Sequence, residues 1–144
     1  MLTSDTQARD RFCKELSQRF DGQLRVIAKQ AVTVWFNRER LDRLLAGYVS
    51  VLDGCELLYA IDLGGRQVSS NILNDAIDAD AYGQDLSDRP YSLSLSMLGN
   101  IESIGAFAGT AYTSRATQHD CVTVLYSVSS GSTTLGYLAA DFKL

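Results

Sequence analysis

The sequence predicts an α+β domain, and three observations carry the prediction. The first third of the chain places apolar residues at helical three- and four-residue steps. From Cys55 onward the apolar period changes to two, as strands require. The order of elements is helices, a hairpin, a helical excursion and a three-strand meander, which gives a mixed but mostly antiparallel sheet of five strands. At 144 residues with 46% apolar content, the chain suits one domain (1–144) built on a single core. Residues 1–46 supply the N-terminal helix and 55–144 the sheet. No internal repeat, low-complexity tract or linker divides it.

Residues 5–46 read as helix. Phe12, Leu16, Phe20, Leu24, Ile27, Ala31 and Trp35 form one stripe, opposite Arg9, Lys14, Arg19, Gln23 and Gln30. Asp5 or Thr6 can cap its start. Asp21-Gly22 interrupts the run with a residue costing about 1 kcal/mol relative to Ala, but the stripe continues in phase, which favours one bent helix. A second helical segment, RERLDRLLAGYVSVLDG, carries Leu41, Leu44, Leu45, Val49 and Leu52 and stops at Asp53-Gly54. Strands Glu56–Asp62 and Arg66–Asn71 flank Leu63-Gly64-Gly65, a hairpin signal in which Asp62 accepts backbone N–H groups of the turn. Residues 74–85 are polar and small, a loop with room for one helical turn. Ser87 or Asp88 caps a short helix with Pro90 in its first turn, ending by Gly99-Asn100. Strands Gly105–Thr113, Cys121–Ser129 and Thr133–Phe142 follow, joined by SRATQHD and SGST.

Composition excludes several classes of function. Acidic residues outnumber basic ones 17 to 13, for a net charge of −4, whereas a phosphate-backbone partner needs clustered Lys and Arg. Arg38, Arg40 and Arg43 are interrupted by Glu39 and Asp42 and read as a solvated helix face. The charged N-terminus has no apolar core of the signal-peptide kind, and no eighteen apolar residues run together. A cytoplasmic location is expected for the chain as written, and an extracytoplasmic one if it is a piece of a receptor. Cys13, Cys55 and Cys121 are odd in number and never at metal-ligand spacing, so reduced thiols and no metal are expected. Gly64-Gly65 lacks the spacing of a phosphate loop. His119, the single histidine, lies beside Asp120 and Cys121, but consecutive side chains of an extended strand cannot converge on one substrate. Neither an enzyme nor a cofactor is expected.

Two ordered stretches remain: LLYAIDLGGRQVSSNI followed by GQDLSDRPY, and TVLYSVSSGSTTLGYLAADFKL at the C-terminus. Over about residues 41–144 they resemble the Cache sensor domains, the PAS-like ligand-binding family also called PDC sensors. That family has an apolar strand ending Asp-x-x-Gly-Arg, then Gly-x-Asp-x-x-x-Arg-Pro-Tyr, then a closing strand Gly-x-(small/apolar)₃-Asp. The resemblance implies strand order 2-1-5-4-3, the long helix on one face of the sheet and a ligand pocket on the other.

The resemblance also directs attention to particular residues. Arg89, in SDRPY, either pairs with Asp85 or Asp88 in its own loop or, as the family's carboxylate-binding element, meets a ligand bidentately. Tyr91, Tyr112 and Tyr126 offer apolar rings with hydroxyls, suited either to ordinary packing or to lining a pocket for a small polar ligand. Alternation puts Tyr126 on the face of Val122 and Val124, and Tyr112 on that of Ala108 and Thr110. Asp141, on the face of Tyr137 and Ala139, is a carboxylate in an apolar strand and demands a partner, either an internal network or a cationic group of a ligand. In the amino-acid-sensing branch an aspartate here holds the ammonium. That branch reads Arg-x-Trp, Tyr-x-Asp and a final Asp, where this chain has Arg89-Pro90-Tyr91, Tyr112-Thr113-Ser114 and Asp141.

The expected function is a small-molecule sensing module for a carboxylate-bearing ligand, an amino acid or a small organic acid, signalling through a partner protein and dimerising through the N-terminal helix. The alternative is a ligand-free interaction or dimerisation adaptor of roadblock or profilin type, its pocket filled by its own side chains.

Overall fold

The structure, a computed structural model, describes residues 2–87, 106–108, 112–113 and 116–144, with side chains described at 11–87, 106 and 116–144. The helical third forms α1 (Leu2–Val34) and α2 (Arg38–Tyr48). The break lies at Trp35-Phe36-Asn37 and not at Asp21-Gly22. Asn37 turns extended (φ −122°, ψ 101°) and its side chain accepts from Arg40 N at 3.1 Å, satisfying an orphan N–H of α2. Gly22 sits on an exposed face between buried Phe20 and Leu24, so core packing on the opposite side holds the helix through it.

The strands are β1 (Cys55–Asp62), β2 (Asn71–Ile72), β3 (Ile77–Asp78), β4 (Phe107–Ala108), β5 (Tyr112–Thr113), β6 (Asp120–Ser130) and β7 (Thr133–Lys143). Their order is β3-β2-β1-β7-β6-β4, with β5 also on β6. Because β4 pairs with Val124 and Leu125 while β5 pairs with Asp120 and Cys121, the two occupy one edge of β6 as a broken strand. Counted so, the five principal strands run 2-1-5-4-3, as the Cache resemblance implies, and every pairing among the described residues is antiparallel. The β6–β7 hairpin closes through Gly131-Ser132, with Gly131 at φ 63°.

The expected strand Arg66–Asn71 is shorter than its sequence suggests. Arg66 and Gln67 make only isolated bridges, to Asp85 and Ile61. Ser69 and Ser70 then divert the backbone. Ser69 Oγ accepts from Ala60 N, and Asp42 of α2 accepts from both Ser70 N (2.8 Å) and Ser70 Oγ (2.6 Å). Short hydroxyl side chains thus replace ladder bonds, and α2 is tied to the segment. Asp62 behaves as expected, its Oδ1 accepting from Gly64 N and Arg66 N at 2.9 Å each.

Alternation along the long strands builds two cores. Leu58, Ala60, Val122, Val124, Leu138 and Phe142 pack on the helices, with Phe142 stacked on Phe20 at 4.7 Å between ring centroids. Leu57, Tyr59, Ile61, Leu125, Tyr137 and Ala139 face the other way and pack with Leu86. Gly136, opposite Asp62, lets the Trp35 indole and the Ile61 carbonyl close on its backbone.

Candidate functional site

On the sheet face opposite α1 lies a cavity of about 460 Å³. Leu57 and Tyr59 of β1 and Asp141 of β7 contribute to its floor. Gln67 and Asn71 form one wall, while Asp78, Asp80 and residues 82–84 make the rim. The rim is held by main-chain bonds that fold 83–86 back on 65–67: Gln67 N to Gln84 O, Gly83 N to Gln67 O, and Leu86 N to Gly65 O. Arg66 adds a bond from its guanidinium to Gly83 O at 2.7 Å. Arg38 stacks over the Tyr82 ring at 4.7 Å, linking the rim to α2.

Asp141 is 1% exposed. Thr123, its cross-strand neighbour on β6, donates to Oδ1 at 2.6 Å, and the Tyr59 hydroxyl makes a longer contact of 3.4 Å to the same atom. Such charge-assisted bonds offset the cost of burying a carboxylate and fix its direction in the cavity wall. Among the described lining residues, Asp78, Asp80 and Asp141 are acidic and none is basic.

The sequence-derived site residues divide. Asp141 lines the cavity. Tyr126 does not: it shares the face of Val122 and Val124, as alternation required, and that face is the one packed on the helices. Burial raises the phenol's pKa there, Asp21 raises it further and Arg25 opposes the rise. Tyr112 sits on β5 in register with Cys121, with its side chain outside the described set. Arg89 and Tyr91 lie outside the described residues, as does the helix expected beyond Ser87.

Thr123, Gln67 and Asn71 were missed by sequence reasoning. Thr123 carried a signal, as the polar residue in CVTVLY with the opposite parity to Val122 and Val124. Gln67 and Asn71 carried none beyond polarity, because the segments beside them, 83–86 along Gln67 and β3 along Asn71, come later in the chain.

Other candidates settle into structural roles. His119 Nδ1 lies 2.7 Å from Glu56 Oε1, joining the turn before β6 to β1. Cys55 and Cys121 are buried, and Cys13, Cys55 and Cys121 are not joined in disulfides. Burial pushes the Cys55 thiol up to about 12, with a backbone bond to Leu57 opposing the rise and the nearby Asp141 charge adding to it. Among the described residues no group of His, Cys, Asp and Glu could hold a metal ion, and no helix is long and apolar enough to cross a membrane.

No protein-family model matches the chain, and no curated protein sequence matches it. Solved structures do. The Bacillus subtilis YkuI protein, which carries an EAL domain and was solved with c-di-GMP and calcium, superposes with a TM-score of 0.68 at 17% identity, over 99% of this chain and 35% of that one. The sensor domain of the Vibrio cholerae histidine kinase DctB gives 0.63 at 19% identity, over 99% and 56%. The ligand-binding domain of the Pseudomonas fluorescens chemoreceptor CtaA, in complex with L-alanine, gives 0.61 at 14% identity, over 98% and 59%. The chain thus spans between about a third and three fifths of the length of these structures. The sheet order, the helices on one face, the cavity on the other and the sensor-domain neighbours lead to one conclusion: this chain has the Cache/PDC sensor-domain fold.

Proposed function

We propose that the chain is a sensing module whose cavity binds a small carboxylate-bearing molecule, and specifically an amino acid. One observation carries the choice: a carboxylate, Asp141, is buried in the cavity wall with its orientation set by Thr123. A wall whose described charges are all negative suits an ammonium group and disfavours a ligand that is only anionic. Arg89 takes the ligand carboxylate in this reading, with Tyr91 and Tyr112 beside it, so that a zwitterion is held at both ends. The L-alanine held by CtaA is a ligand of this class. An adaptor with a self-filled pocket accounts less well for 460 Å³ of space walled by polar side chains. Binding alters the module's contacts with a signalling partner, and α1, 33 residues or about 50 Å long, supplies the surface for pairing with a second copy.

Thermal-shift and calorimetric titration against amino acids and short carboxylic acids tests the reading. At 100 times its dissociation constant a ligand stabilises by about 2.7 kcal/mol. Amino acids are expected to shift the melting temperature and their deaminated analogues to do so much less. Arg89→Ala and Asp141→Asn should each abolish the shift. If no compound moves the transition, or Asp141→Asn binds amino acids as the parent does, the reading is wrong.

A further inference from the structure

Two neighbouring carboxamides in the cavity wall have polar ends that no hydrogen bond among the described residues uses. Gln67 is 2% exposed and Asn71 7%, and both line the cavity. Gln67 Nε2 donates to Ser69 O at 3.0 Å and to Asn71 Oδ1 at 2.8 Å. Those two acceptors fix which end of the Gln67 amide is nitrogen, and the bond it makes fixes Asn71 Oδ1 as oxygen. Two ends are left over, an acceptor at Gln67 Oε1 and a donor at Asn71 Nδ2. No buried side-chain nitrogen or oxygen among the described residues lacks a partner, so these two ends are not sealed inside the protein. The space they reach is the cavity that both residues line.

We propose that Gln67 and Asn71 form a specificity subsite that reads an uncharged amide on the ligand, whose N–H donates to Gln67 Oε1 and whose carbonyl accepts from Asn71 Nδ2. The inference rests on the amino-acid reading above and adds the identity of the ligand's far end. Asn71 is in register with Asp78 on one side and lies two strands from Asp141 on the other, about 10 Å between backbones. Side chains reaching inward from both leave a span suited to a short amino acid. Charge argues for a neutral far end. Asp78 and Asp80 repel a second carboxylate there, while Asp78 already accepts from Asp80 N at 3.1 Å. Gln67 and Asn71, both buried, are neutral, and buried groups left unpaired discriminate most strongly between ligands.

Calorimetric titration of the intact chain with L-glutamine, L-asparagine, L-norvaline, L-lysine and L-glutamate tests this. The better of the two amides should bind more tightly than norvaline, lysine and glutamate by about tenfold or more. Asn71→Asp keeps the oxygen that accepts from Gln67 Nε2 and replaces the outward donor by an acceptor. That variant should lose the amide preference while melting within a few degrees of the parent. Equal binding of amide and norvaline, a preference for lysine or glutamate, or an amide preference that survives in Asn71→Asp overturns the subsite and leaves the amino-acid reading standing. Failure of every amino acid to bind overturns both. The comparison among ligands on the unmodified protein decides the matter even if the variant does not fold.

Discussion

Removing the Thr123 hydroxyl should expose how the buried carboxylate is supported. Thr123→Val keeps the shape of a residue that is 0% exposed and deletes the donor 2.6 Å from Asp141 Oδ1. Hydrogen bonds to charged groups contribute about 1.5–3 kcal/mol, and the Tyr59 hydroxyl's contact with the same oxygen is longer, at 3.4 Å. A loss of about 2 kcal/mol is therefore expected, which in a domain of this size lowers the melting temperature by roughly 6 °C. In an Asp141→Asn background the same deletion removes a neutral bond and should cost only about 1 kcal/mol. The double-mutant cycle then yields a coupling of about 1 kcal/mol, read from urea unfolding followed by circular dichroism. If the two changes are additive within about 0.3 kcal/mol, or Thr123→Val is neutral, the carboxylate does not depend on that hydroxyl and its fixed orientation loses its cause.

Two further outcomes concern the scaffold. Gly136→Ala would drive a methyl group into the Ile61 carbonyl and within 2.5 Å of the Trp35 ring, where main chain on one side and a core indole on the other cannot yield; a loss of more than about 3 kcal/mol, or failure to fold, is expected, and a melting curve matching the parent's would refute the close approach. Cys55, raised from 9.0 to about 12, stays a thiol in the folded chain while the unfolded chain ionises first, so the folded state holds more protons between these values; its contribution to stability is full below pH 9 and is lost as pH rises toward 12, and the folded protein should leave Cys55 unalkylated by iodoacetamide at pH 8 until denaturant is added.

Strand parity was the most legible part of the sequence, yet its meaning was incomplete. Alternation in CVTVLY and GYLAADF sorts residues correctly into two sets, and Asp141 stood out as the charged member of its set. Parity does not say which set meets the helices when both are apolar, so it leaves Tyr126 open to packing or to the pocket, and the structure puts it in the helix-facing set. The same blindness explains the helix break. Leu41 and Leu45 are buried like Phe20 and Leu24, so the periodic signal runs on through Trp35-Phe36-Asn37, and only the capping chemistry of Asn37 marks the end. Gln67 and Asn71 were harder still. Ser69, Ser70 and Asp42 bend a short strand out of its ladder, and residues 83–86 return to bury what the ladder would have exposed. A polar residue in a strand signals function only once its face and its covering segment are known. Those are products of contacts distant in the chain, and here they set two neutral amides across a cavity floor from a buried carboxylate.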